Sequence, residues 1–192
     1  MGKSIKGSRT EKNLLAAFAG ESQARNRYTY FASAARKEGY EQIANIFIET
    51  SENEKEHAKV FFKHLEGGDV EIIASYPAGV IADTKSNLEA AAAGENMEWS
   101  TIYSNSAQIA KDEGFPEIAS SFEQIARVEM FHESRYRKLI KNIEGGAVFN
   151  KKTPVKWHCI NCGYVYEGAE APKLCPACKH PQPYYEVLAE NY

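Results

Sequence analysis

Glu54-Lys55-Glu56-His57 and Glu129-Met130-Phe131-His132 are the stretches that decide how this chain folds. A glutamate and a histidine three positions apart share one face of a helix, because residues i and i+3 are neighbours there. A single pair of this kind is common on the solvated side of a long helix. Here the pairs lie 75 residues apart, and their surroundings repeat with them. Ala19-Gly20-Glu21 returns 74 residues later as Ala93-Gly94-Glu95, and Lys37-Glu38-Gly39-Tyr40 returns 75 residues later as Asp112-Glu113-Gly114-Phe115. The pattern is that of a duplicated helical hairpin with one residue inserted in the second copy. Two units are too few for a solenoid.

Punctuation supplies the helix limits. Ser8 and Glu11 have capping-box spacing, so a first helix is expected over residues 9–38, stopped by Gly39. A second is expected over 41–66, stopped by Gly67-Gly68, and a longer crossover over 70–83 carries Pro77 and Gly79. A third is expected from about Ser86 to Gly114, and Pro116 suits the first turn of a fourth that ends at Gly145-Gly146. Short joins within each pair and one long join between pairs describe an all-α, ferritin-like four-helix bundle over 1–146. Residues 147–156 read as a linker. Residues 157–192, rich in cysteine, proline and tyrosine, read as a small metal-bound domain.

The bundle has no cysteine, so its chemistry rests on carboxylate, imidazole and hydroxyl groups. Glu21 and Glu95 each sit among small apolar residues, one in each hairpin, opposite Glu54/His57 and Glu129/His132. Single glutamates on two helices and Glu-x-x-His on the other two form the donor set of di-iron carboxylate bundles. Turning these carboxylates inward without cations would cost several kcal/mol for each unpaired ion. Carboxylate oxygens with imidazole suit iron or manganese. The copies differ at one place: Glu98 follows Glu95 by three, whereas Ala24 follows Glu21 by three, so the second copy offers an extra carboxylate. Tyr28 and Tyr103 follow two helical turns after Glu21 and Glu95, either as ordinary core or as hydroxyl donors to ligand carboxylates.

All four cysteines lie near the end, as Cys159/Cys162 and Cys175/Cys178. In a reducing compartment, paired Cys-x-x-Cys turns read as one tetrahedral thiolate site. Spacing alone allows iron or, as a substitute, zinc. Gly163 and the tyrosines at 164, 166, 184 and 185 favour a rubredoxin-like centre. His64, His158 and His180 read as surface positions. A net charge of −3 gives no reason to expect nucleic acid or an anionic membrane. No apolar run approaches the ~20 residues of a membrane span, and the amino end lacks a secretory pattern, so a cytoplasmic location is expected.

Phe18-Ala19-Gly20-Glu21-Ser22-Gln23-Ala24-Arg25-Asn26-Arg27-Tyr28 resembles the first-helix motif of the rubrerythrin family, and the remaining glutamates, histidines and cysteines fill that family's iron positions. The resemblance implies a cytoplasmic peroxidase that reduces hydrogen peroxide to water for defence against oxidative stress. It implies two irons in the bundle and one on the thiolates. Electrons would come ultimately from NADH through a separate reductase or a rubredoxin, and the chain would form a homodimer. It further implies that one iron exchanges Glu98 for His57 as the site is reduced. Rival readings are a ferroxidase or iron-handling ferritin-like protein, and a zinc-tailed scaffold.

Overall fold

The structure is a computed structural model and describes residues 3–191. Helix α1 spans Arg9–Lys37 and α2 spans Glu41–Lys63. Helices α3 (Thr84–Met97) and α4 (Tyr103–Asp112) run on as one rod through a π-helical turn at Glu98–Ile102, and α5 spans Pro116–Glu144. Helix α1 packs chiefly on α2, and the α3–α4 rod on α5. Two hairpins thus build a four-helix bundle, with the irregular 64–83 crossover between them. No helix among the described residues is long and apolar enough to cross a membrane.

The repeated Glu-Gly turns lock one hairpin to the other. Gly39 and Gly114 take φ of +83° and +80°, a left-handed conformation that ends α1 and α4 and that side chains resist. The glutamate before each glycine reaches across the molecule. Glu38 accepts a hydrogen bond from the Thr84 amide at 3.0 Å, and Glu113 accepts from the Thr10 amide at 2.9 Å and its hydroxyl at 2.6 Å. Each carboxylate therefore caps the opening turn of the other copy's first helix, where free N–H groups favour an anion.

Three limits differ from expectation. Helix α2 ends at Lys63 because His64 and Leu65 bond back three residues, to Phe61 and Phe62, in a tightened last turn. Glu66 then accepts from Ser4 Oγ at 2.6 Å and the Ile5 amide at 3.1 Å, and so ties down the amino-terminal strap. Helix α3 starts two residues before Ser86, at Thr84, because Asp83 accepts the Ser86 amide at 2.9 Å as the N-cap. The π turn has a cause in the repeat itself. Glu21 and Glu95 are 74 apart, but Tyr28 and Tyr103 are 75 apart, so the inserted residue lies between Glu95 and Tyr103. A π turn closes i→i+5 bonds and so absorbs one extra residue without shifting the helix on either side. Helix α1 needs no such turn and has none.

The core forms two apolar blocks. One contains Tyr28, Phe31, Phe47 and Tyr136; the other contains Leu14, Phe61, Tyr103 and Phe122. Each fully buried Phe or Leu contributes about 1.5–3 kcal/mol of transfer free energy. In the carboxy-terminal region β1 (Asn150–Cys159) is flanked by antiparallel β2 (Val165–Glu170) and β3 (Tyr185–Val187). Strand β1 begins inside the segment expected to be a linker, where Asn150 pairs with Glu170. Trp157 is fully buried and donates Nε1–H to the Gly168 carbonyl at 2.9 Å. This small sheet sits on the α1–α2 turn: Pro183 covers Gly39, and the Phe149 ring stacks on Tyr40 at 6.3 Å.

Candidate metal centres

Between the apolar blocks lies a buried polar layer. Glu21, Glu54, Glu95 and Glu129 have at most 1% of their surface exposed, and His132 has 2%. Their donor atoms form two overlapping groups, Glu21/Glu54/His57/Glu129 and Glu54/Glu95/Glu129/His132, each with all atoms within 4.8 Å of one another. Glu54 and Glu129 belong to both groups. His57 Nδ1 stands 2.8 Å from Glu54 and 2.9 Å from Glu129, while His132 Nδ1 stands 2.8 Å from Glu129 and 3.3 Å from Glu54. Glu21 and Glu95 are the outlying members, each 3.9 Å from the histidine of its own group. The arrangement keeps the two-fold relation of the repeat. It offers two adjacent cation positions that share two carboxylates.

Unpaired atoms test whether cations fit. Glu21 Oε2, Glu54 Oε1, Glu95 Oε2, both oxygens of Glu129 and His132 Nδ1 are buried with no aligned hydrogen-bond partner. Protein interiors seldom leave one such atom unmet. Six within a single layer match a site that spends its lone pairs on metal. Titration behaviour agrees. Burial, then the charges of Glu129 and Glu54, raise the Glu21 carboxyl well above its usual range, and burial with the same two neighbours does so for Glu95. Burial would lower the imidazoles, but the closely placed carboxylates of Glu129 and Glu54 outweigh it, pushing His57 up to about 10 and His132 to about 9. The layer holds more negative charge than it can tolerate without bound protons or metal.

The tyrosines resolve to hydroxyl donors, and across the repeat. Tyr28 donates to Glu95 Oε1 at 2.6 Å, and Tyr103 donates to Glu21 Oε1. Each outlying carboxylate is thus aimed by a tyrosine from the opposite hairpin. Glu98 lies beside the layer but outside both donor groups, half-buried, with Glu95 and Arg27 as partners. Glu98 is the first residue of the π turn: its own N–H still bonds back to Gly94 and Glu95, while its carbonyl accepts the Tyr103 amide across the wider ring. Burial and the charges of Glu129 and Glu54 push its carboxyl up to about 8. Glu133, which the sequence reading missed, is buried and accepts from Asn96 at 3.0 Å, Trp99 at 2.6 Å and Arg137 at 2.6 Å. Burial favours its neutral form, but those bonds outweigh it and hold the carboxyl below the ordinary range.

The four thiols gather at the tip of the small sheet. Cys159 and Cys178 sulfurs are 3.8 Å apart, and Cys162 and Cys175 sulfurs are 3.7 Å apart. A tetrahedron with metal–sulfur bonds of ~2.3 Å has edges of ~3.8 Å, whereas a disulfide needs ~2.05 Å. The cage therefore has metal dimensions. The backbone amide of His180 leads in lowering the Cys178 thiol to about 6, whereas the neighbouring thiols, Cys178 foremost, push Cys162 up to about 12. His64 bonds to Ser121 at 2.9 Å, His158 lies 3.6 Å from Glu186, and His180 lies 3.2 Å from Asn161; none joins a donor group.

Residues 12–140 match the family model described as Rubrerythrin, which covers more than half of the chain. The chain belongs to the rubrerythrin family. Residues 157–186 match the model described as the rubredoxin-like domain of rubrerythrin. The rubrerythrin of Porphyromonas gingivalis is 62% identical over 192 residues, covering 100% of this chain and 96% of that protein. The rubrerythrin of Nitratidesulfovibrio vulgaris is 57% identical over 190 residues, covering 99% and 100%. A solved structure of nigerythrin in its fully reduced, all-ferrous state superposes with TM-score 0.63 at 29% identity, covering 97% of this chain and 92% of that one. The rubrerythrin assignment agrees with the donor chemistry: a di-iron carboxylate pair in the bundle and a four-cysteine iron cage in the tail.

Proposed function

We propose that this chain is a non-haem di-iron peroxidase that reduces hydrogen peroxide to water in the cytoplasm. One observation carries the reading: a buried carboxylate–imidazole pair site and a thiolate cage, two centres of different donor chemistry, are built into one chain. Peroxide takes two electrons and two protons as its O–O bond breaks, giving two waters. Glu21, Glu54, His57, Glu95, Glu129 and His132 would hold two irons able to give one electron each, and Cys159, Cys162, Cys175 and Cys178 would hold a single iron able to return electrons one at a time.

The protein groups do the rest. Glu54 and Glu129 tie the two positions together, and Tyr28 and Tyr103 aim the outlying carboxylates. Glu98, with its raised affinity for a proton, holds one beside the layer at a carboxyl oxygen. Glu98 and His57 would serve as alternative donors, since an anionic carboxylate suits an oxidised site and a neutral imidazole suits a ferrous one. The exchange keeps the charge of a poorly solvated site more even between oxidation states.

Electrons come ultimately from NADH through a separate reductase or a rubredoxin. His132 precedes the end of α5 at Glu144 by 12 residues, ~18 Å at 1.5 Å per residue. The tail sheet sits at that end of the bundle, so we assign its electron to the bundle of a second chain in a head-to-tail homodimer. A ferroxidase or a zinc-tailed scaffold has no use for such a relay. The deciding experiment reduces the iron-loaded protein and adds peroxide without oxygen. Stoichiometric loss of peroxide with reoxidation of both centres supports the reading; intact peroxide over a reduced, unchanged spectrum refutes it.

A further inference from the structure

The second half of the bundle carries three features that the first half lacks. It has a π turn, Glu98 on that turn, and a buried acid, Glu133, one residue after His132. The repeat identifies their counterparts: Ala24 stands where Glu98 does and Ala58 where Glu133 does, while Ser22 stands for Asn96. The counterpart helix is unbroken from Arg9 to Lys37. The molecule thus contains its own control, a copy in which the acid, the turn and the extra carboxylate are missing together.

The contacts connect the three. Glu133 Oε2 receives the Asn96 side-chain amide at 3.0 Å, just ahead of the π segment, and the Trp99 indole at 2.6 Å, inside it. Arg137 holds the other oxygen at 2.6 Å. Ser104 donates to the Trp99 carbonyl at 2.8 Å, closing the turn from its far side. Longer-ring π turns are rare unless something fixes them, because an ordinary α register is open to the same residues. Charge-assisted bonds to a buried carboxylate are among the stronger anchors available.

We propose that Glu133 is a positioning residue that clamps the π turn through Asn96 and Trp99 and so sets where Glu98 stands relative to the metal layer. The clamp touches neither metal nor peroxide. It joins the turn to α5 beside His132, so Glu98 and the histidine-bearing helix move as one body. The proposal rests on the reading of the bundle as a metal site, and its test keeps the two apart.

The test uses the full-length, iron-loaded protein with Glu133→Leu, Glu133→Gln and Trp99→Phe. Amide hydrogen exchange is measured over residues 98–104, with 24–30 of α1 as the internal reference. Losing a charge-assisted bond should speed exchange at 98–104 by about tenfold or more in Glu133→Leu and Trp99→Phe, with α1 unchanged. The oxidised-state visible spectrum of both should shift toward that of Glu98→Ala while the iron count holds. Glu133→Gln keeps an oxygen for Asn96 and Trp99 and should stay close to the parent protein in both measurements. Unchanged exchange in the turn, or equal acceleration in α1, overturns the clamp. If the parent protein holds no bundle iron, the metal reading fails, and the exchange measurement still decides the clamp.

Discussion

Replacing Tyr103 by phenylalanine removes one hydroxyl and leaves the ring packed against Phe61 and Phe122, at 5.4 and 5.8 Å between centroids. The ring contacts are kept, so the change acts chiefly on the bond to Glu21. A hydrogen bond to a charged, buried acceptor is worth about 1.5–3 kcal/mol, and loss of a group that orients a metal ligand commonly costs 10–100-fold in affinity. Glu21 belongs only to the group with His57, so Tyr103→Phe should weaken that iron position by about 10–100-fold and spare the other. Tyr28→Phe should do the reverse, since Tyr28 serves Glu95 and the His132 group. The Tyr103 bond also lowers the Glu21 pKa. Without it a proton competes better with iron, and the loss of affinity should deepen as pH falls. Stepwise ferrous titration against a competing chelator reads both positions. Affinities within about twofold of the parent would show that the bonds do not orient the ligands. Weakening of the same position by both variants would refute the crossed pairing.

Four further outcomes follow from the same geometry. Fully loaded protein should carry three irons per chain, and Cys162→Ser with Cys175→Ser should remove one iron and the red colour while leaving two in the bundle, counted by elemental analysis. Glu98→Ala should still bind two ferrous ions but show a disturbed oxidised spectrum and slower peroxide turnover; no change in either would leave Glu98 without a catalytic role. His57 and His132, pushed to about 10 and 9, each carry a proton near neutrality that iron must displace. Glu21, Glu95 and Glu98 also bind protons more readily than ordinary carboxylates, so ferrous affinity should climb between about pH 6 and 8 with two or more protons released, seen as a buffer-dependent binding enthalpy; a flat profile would count against those shifts. Chains lacking bundle ligands, mixed with chains lacking the cysteines, should regain peroxidase activity as heterodimers; verified heterodimers without activity would place electron transfer within one chain.

The four helices, the repeat and the candidate donors were legible in the sequence, although Glu98, counted there as a donor, stands outside both donor groups. These are local matters: glycine and proline set where helices stop and start, capping groups satisfy their ends, and an i, i+3 pair shares a face whatever the helix packs against. The shift in repeat offset from 74 to 75 shows in the sequence as one extra residue, and the structure shows that a π turn at Glu98–Ile102 absorbs it. Tertiary structure decided how the donors divide their work. Tyr103 reaches Glu21 across 82 positions and Tyr28 reaches Glu95 across 67, and no spacing rule links residues so far apart. That Glu54 and Glu129 are shared, that Glu98 stands aside, and that Glu133 holds the turn all depend on how far each helix is rotated when the hairpins dock. One residue turns a helix by ~100°, so small differences in packing choose which carboxylate faces which neighbour.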